Sequence, residues 1–209
     1  MEFKDNVQFI EGNQNFIETP KTMDGFHEIK RFPDILRKEH FVSLIASALV
    51  QVAPIVVKGG KYYSKLIEPT DQLNEFEKTN NDLSCLALCV VFRDHDKPGI
   101  NWIKPNIING VSFDFEYAHF NKKDLNTYAL RLDLLVAKVR LAEKEEITKM
   151  IEQAKTFKSF ISGADGKKFI EANMKIAKYT ENSVEKVQKI LLQRINEFDS
   201  LLQKILQEK

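Results

Sequence analysis

From Val184 to the C-terminus the apolar residues Val184, Val187, Leu191, Ile195, Phe198, Leu202 and Ile205 recur at steps of three and four. Only a helix returns side chains to one face at that interval, so the segment predicts one long amphipathic helix. Asn182 with Glu185 makes a capping-box-like start for it. Three uses fit such a stripe: a core face, a bundle seam, or a coiled-coil dimer surface. The same period reaches back to Asp124. Leu125, Tyr128, Leu132, Leu135, Val139 and Ala142 suit one helical face, and Ile147, Met150, Ile151 and Ala154 suit its continuation or a neighbouring helix. Gly163 to Gly166 reads as a break, and Phe169–Ala177 as a further helical stretch.

The first half of the chain mixes periods. Residues 1 to about 31 are polar and irregular, with short apolar clusters at Val7–Ile10 and Asn15–Ile17 that suit edge strands. Ile35, Leu36, Phe41, Leu44, Ile45, Ala48 and Leu49 then predict a helix over about 33–51, with Pro33 in its first turn and Pro54 beyond its end. Ile55–Val57, Lys58-Gly59-Gly60 and Lys61–Ile67 read as strand, tight turn and strand. Pro69 closes this hairpin, and DQLNEFEKTNND reads as a polar connection. Leu83–Phe92 is apolar almost throughout, hence buried, and fits a helix better than a strand. RDHDKPGIN is an ordered, charged loop; Trp102-Ile103 and Val111–Phe113 then flank a turn carrying Asn109-Gly110. Asp114-Phe115-Glu116 stands at the end of the second strand.

A chain of 209 residues is long enough for a sizeable core, and 31 Lys plus Arg against 30 Asp plus Glu leave a net charge of +1. That balance gives no long-range field suited to nucleic acid. No apolar run approaches the roughly 18 residues of a membrane span. The polar start MEFKDNVQF lacks the apolar core of a secretory signal. The expectation is a soluble protein with no nucleic-acid partner and no transmembrane segment. Cys85 and Cys89, four apart in SCLALCVVF, read as small buried hydrophobes in a reducing, cytoplasmic setting. His27 and His40 read as surface residues, and His119 as a partner for a carboxylate or a cap for the segment that follows it. Tyr62 and Tyr63 read as ordinary strand residues. No P-loop or GxGxxG occurs, and Ser112 has no triad companions.

Three polar residues sit at strand or loop junctions: Asp96, Asn101 and Asp114. His95-Asp96-Lys97-Pro98-Gly99-Ile100-Asn101 resembles the catalytic loop H-R-D-x-x-x-x-N of the protein-kinase-like superfamily, with one residue missing between His and Asp. Asp114-Phe115-Glu116 resembles its D-F-G element, with Glu in place of Gly. The order of predicted elements from 33 to 92 is similar to the kinase order from helix C through the hinge. Arg37-Lys38-Glu39, GGKYYSKLIE, RDHDKPGIN and SFDFE together look closest to the atypical kinase-like effectors of intracellular bacterial pathogens. In those proteins an extra aspartate two positions before the catalytic one is familiar, and Asp94 stands there. The resemblance covers roughly residues 30–120.

It implies an α+β, kinase-like fold. Residues 1–68 would form a reduced N-terminal lobe of small sheet plus one helix, 69–121 the hinge, catalytic-loop-like and DFG-like elements, and 122–209 a helical C-terminal region. It implies an ATP- and magnesium-dependent phosphotransferase acting on a protein or lipid hydroxyl. Phosphoryl transfer needs charge stabilisation and in-line placement more than covalent help, so the implied roles are few. Asp96 orients the attacking hydroxyl with support from Asp94, and Asn101 and Asp114 hold magnesium. Glu39 pairs with a lysine beside the nucleotide, and backbone groups around Ile67 and Glu68 read the adenine edge. His95 braces the backbone, and Lys97 matches in kind a lysine of such loops. The chain departs from the pattern in having no G-x-G-x-x-G in residues 1–32. Glu11 and Glu18 stand where the strand lysine is expected, which leaves Lys21 or Lys30 to supply that charge. A second reading follows from these departures: an inactive kinase-like scaffold binding a partner protein through its C-terminal helices. The resemblance places the protein in the cytoplasm or, as a secreted effector, in a host cell cytosol.

Overall fold

The computed structural model describes residues 24–65, 75–94, 107–108, 111–112, 115, 118–120 and 125–209, with the side chains of 75–81, 107–108 and 125–131 outside the description. Strand β1 (Phe26–Ile29) leads into helix α1 (Pro33–Ala46), which is followed by β2 (Ile55–Lys58) and β3 (Lys61–Lys65). The three strands form one antiparallel sheet in the order β1-β3-β2, with Phe26 opposite Lys65 and Ile55 opposite Ser64. Gly59 and Gly60 have φ of +59° and +77°, the left-handed pair that a two-residue hairpin turn with the twist of its strands requires. The hairpin is therefore where the sequence puts it. β1 escapes a reading by period because four residues with one exposed and three half-buried positions show no alternation.

Pro33 occupies the start of α1, where its missing N–H has no helical acceptor to serve. The helix ends at Ala46, five residues short of the expectation, and the chain continues through turns to Val50. Helix α2 (Glu75–Val91) begins well before the apolar run. The polar stretch expected as a connection is thus largely the first half of this helix, and its Asn and Asp residues are overridden by the burial of everything from Leu83 to Phe92. β4 (Ile107–Ile108) pairs antiparallel with β5 (Val111–Ser112), with Ile108 opposite Val111, while Asn109 and Gly110 lie outside the described residues. The first strand of this pair is therefore Ile107–Ile108; Trp102 and Ile103 also lie outside the described residues.

Four helices complete the chain: α3 (Leu125–Val139), α4 (Lys144–Ser162), α5 (Ala164–Ala177) and α6 (Val184–Gln207). The second half of the predicted 125–154 face is accordingly a neighbour, not a continuation. Gly163 alone separates α4 from α5, and Gly166 lies inside α5. A Cβ on Gly166 would sit 2.4 Å from the carbonyl oxygen of Phe160 and 2.5 Å from the Ile161 Cα, so glycine is what lets the two helices turn so tightly. The cap of α6 is Ser183, whose hydroxyl accepts from the Lys186 N–H at 3.2 Å. Asn182, the expected cap, is instead buried and donates to the Tyr179 hydroxyl at 2.6 Å.

Val187, Leu191, Ile195, Phe198, Leu202 and Ile205 are all buried, with α6 packed on α2, α4 and α5. Of the three uses of the stripe, the core face is the one the fold makes. The same apolar cluster includes Phe41, Val42 and Ile45 of α1, so the helix that accompanies the sheet is rooted in the helical core. Phe41 stacks on Tyr179 at 4.5 Å between centroids, and Phe120 leans on both rings. Among the described residues no helix is long and apolar enough to cross a membrane.

Candidate functional site

α1 carries Glu39 into the interior, where the residue is 2% exposed. A carboxylate buried that far persists as an ion only if its oxygens are partnered. Arg31, placed between β1 and α1, brings its Nη1 to 2.9 Å from Oε2 of Glu39. The backbone N–H of Phe115 donates to Oε1 at 3.2 Å. One side chain therefore ties three parts of the chain together: α1, the cation ahead of it, and the residue directly after Asp114. The arginine side chain is 22% exposed, so the pair has one buried and one partly solvated member.

The partner of Glu39 corrects the expectation of Lys30 in that place: Lys30 is exposed. Lys21 lies outside the described residues. Arginine suits the position because its planar guanidinium holds a carboxylate through a charge-assisted hydrogen bond. His40 is also a correction. It is 1% exposed, edge-on to Tyr62 at 5.8 Å between centroids, and neither ring nitrogen has a hydrogen-bond partner. Burial pushes its pKa down to about 4, so the ring is neutral. Its position beside Glu39 gave no apolar-face signal, since a histidine fits either side of an amphipathic pattern.

A second attachment holds the element that follows α1 against β5. Ser112 donates its N–H to the Gln51 carbonyl at 2.9 Å and accepts at its own carbonyl from the Ala53 N–H at 2.7 Å. The strand that leads to Asp114 and Phe115 is thus anchored beside the exit of α1.

The third attachment lies where α2 ends. Arg93 adopts a left-handed backbone, φ +56°, and turns the chain off the helix. Asp94 follows, fully buried; its N–H donates to the Leu88 carbonyl at 3.3 Å and its carbonyl accepts from the Cys89 thiol at 2.9 Å. Cys89 is buried as expected and adds a bond that braces this turn. The chain returns at His119, whose N–H donates to the Phe92 carbonyl at 2.9 Å. Arg194 of α6, buried, donates from Nη1 to the carbonyl oxygens of His119 at 2.6 Å and Val91 at 3.3 Å. A single turn of α6 grips this point twice, because Glu197 also pairs with Arg93 at 2.6 Å.

Of the expected site residues, Glu39 and Asp94 are described: the first is joined to the DFG-like element through Phe115, the second is buried at the start of the charged loop. Asp96, Asn101, Asp114, Ile67 and Glu68 lie outside the described residues, as do His95 and Lys97. Sequence reasoning missed Arg31 and Arg194. The signal for Arg31 was a cation two positions ahead of the helix-starting proline. For Arg194 it was a charge standing three after Leu191 and four before Phe198, inside the apolar stripe. No family model, no curated protein and no solved structure matches the chain.

Proposed function

We propose that this chain is an ATP- and magnesium-dependent phosphotransferase of the atypical kinase-like type, acting on a protein or lipid hydroxyl. The observation that supports it is the Glu39 carboxylate, buried and shared between Arg31 and the Phe115 N–H. Kinase-type chemistry requires an ion pair between a helix-borne glutamate and a cation beside the phosphates, and the Glu39–Arg31 pair would be its counterpart here. Arg31 is held on Glu39 with its side chain partly exposed. Asn101 and Asp114 supply the oxygen donors that suit magnesium, which when bound neutralises charge on the transferred phosphate. Asp96 accepts the proton of the attacking hydroxyl as its oxygen bonds to the γ-phosphorus and the bond to the ADP oxygen breaks. Asp94 supports this loop from its buried position, and Arg31 faces the phosphates in the role of the family's lysine. Backbone groups near Ile67 and Glu68 hold the adenine edge. The cellular setting that accompanies this reading is that of an effector acting in a host cytosol.

The test is a thermal-shift titration with ATP, with and without magnesium, on the wild type, Asp114→Ala and Asp96→Ala. A magnesium-dependent shift is expected in the wild type, corresponding to about 2.7 kcal/mol at a hundredfold excess over Kd. Asp114→Ala should lose it, whereas Asp96→Ala should keep binding and lose phosphate transfer. Transfer that survives in either variant overturns the assignment. Arginine in place of the strand lysine favours a second reading, the inactive kinase-like scaffold, for which binding without transfer in the wild type is the signature. The apolar stripe of α6 is consumed by the chain's own core, so a partner protein on the C-terminal helices would have to read their polar faces.

A further inference from the structure

Arg194 stands in a row of residues that could all have been apolar. Leu191, Ile195 and Phe198 around it are fully buried, and Arg194 itself is only 6% exposed. Replacing a buried charge by a well-packed apolar side chain is often neutral or stabilising, so packing alone gives no reason for a guanidinium here. What it does is specific. A single nitrogen, Nη1, bridges the carbonyl of Val91, at the end of α2, to the carbonyl of His119, where the chain comes back past that end. The Val91 carbonyl belongs to the last turn of α2, where carbonyl oxygens run out of helical N–H donors and the dipole favours a cation. Between those carbonyls the chain makes the excursion that contains the charged loop, the β4–β5 pair and Phe115. The returning chain is held by the His119 N–H on the Phe92 carbonyl, and Glu197, one turn along α6, holds the left-handed Arg93.

We infer that Arg194 is a positioning residue: from the C-terminal helix it fixes both flanks of the excursion, Asp94 on the outgoing side and Ala118 to Phe120 on the returning side, without touching substrate. Its effect on nucleotide binding rests on the phosphotransferase reading; its effect on the flanks does not.

The experiment compares wild type, Arg194→Met and Arg194→Lys by amide hydrogen exchange and by ATP binding titrated with magnesium, each at the same interval below its own Tm. Exchange at the Asp94 and His119 amides should speed up about tenfold or more in Arg194→Met while amides within Met150–Phe157 of α4 stay as in wild type. The magnesium concentration for half-maximal ATP binding should rise about tenfold, as for loss of an outer group that orients metal ligands. Arg194→Lys, which keeps the charge but not the planar fork, should fall between the two. Wild-type exchange at Asp94 and His119 in Arg194→Met overturns the inference. If Arg194→Met does not fold, the same readouts on Arg194→Lys and Glu197→Gln decide it, unchanged exchange in both being the overturning result. Absence of any ATP binding by the wild type removes the phosphotransferase reading and leaves the exchange result to judge Arg194.

Discussion

The α4–α6 region and the region around α1 bury themselves by different means. In the first, a repeated apolar face does the work: Ile147, Ala154, Phe157, Leu191, Phe198 and Leu202 are fully buried, and the polar groups stay mostly on the outside. In the second, Phe41 and Ile45 share the interior with Glu39, His40 and Ser43. Adjacent residues there meet burial in opposite ways. Glu39 is met by Arg31 and the Phe115 N–H, while His40 gives up its charge and holds no hydrogen bond. Polar groups in a low-dielectric interior are specific in what they accept, so the α1 region selects an arrangement as well as a state of compactness.

That contrast can be broken by truncation. Phe198→Ala should lower the free energy of unfolding by about 3–5 kcal/mol, measured by urea titration, and leave ligand binding by the folded fraction unchanged. Glu39→Ala should cost about 3 kcal/mol, the lower end for a broken buried pair because Arg31 is partly solvated, and should also free the Phe115 N–H and abolish ATP binding. If both variants lose stability and neither loses binding, the α1 region is only a second piece of core.

His40 sharpens the same contrast through pH. Its pKa is about 4 in the folded protein against an ordinary 6.5, so the unfolded chain takes up a proton first as pH falls. The stability this site supplies is whole above pH 6.5, declines between 6.5 and about 4, and levels off below, a loss of about 3 kcal/mol across the window. His40→Leu should remove that part of the decline, read as a flatter pH dependence of the urea midpoint than in wild type. An unchanged slope would mean that His40 finds water or a partner when protonated.

How far each region was legible in the sequence follows from the same physics. Steps of three and four write a helix directly, so α6 and its buried stripe could be read outright, as could the Gly59-Gly60 turn, which leaves a chemical signature. Glu39 was reached by its place in a helix order, and Asp94 by its spacing from Asp96. The three attachments around them were not legible: Ser112 on Gln51 and Ala53, Glu39 on the Phe115 N–H and Arg194 on two carbonyls each join a residue to a backbone group far along the chain, and backbone groups have no letter in a sequence. The Arg31–Glu39 pair was not legible either, because pairing depends on reach across the β1–α1 junction, which no spacing rule encodes.

The smallest expected effect tests whether the C-terminal region depends on anything besides its stripe. Ser183 caps α6 by accepting from the Lys186 N–H, with Glu185 in the first turn adding charge near the positive end of the helix dipole. Ser183→Ala should therefore cost about 1 kcal/mol, and Ser183→Asp should restore it, both read from the urea midpoint. Because α6 also carries Arg194, more than two turns beyond this cap, fraying at Ser183 should stop short of it. Amide exchange at Asp94 and His119 in Ser183→Ala should then match wild type even as the first turn of α6 opens. Faster exchange at those two sites would mean that the grip of α6 depends on the whole helix and not on the turn that holds Arg194 and Glu197.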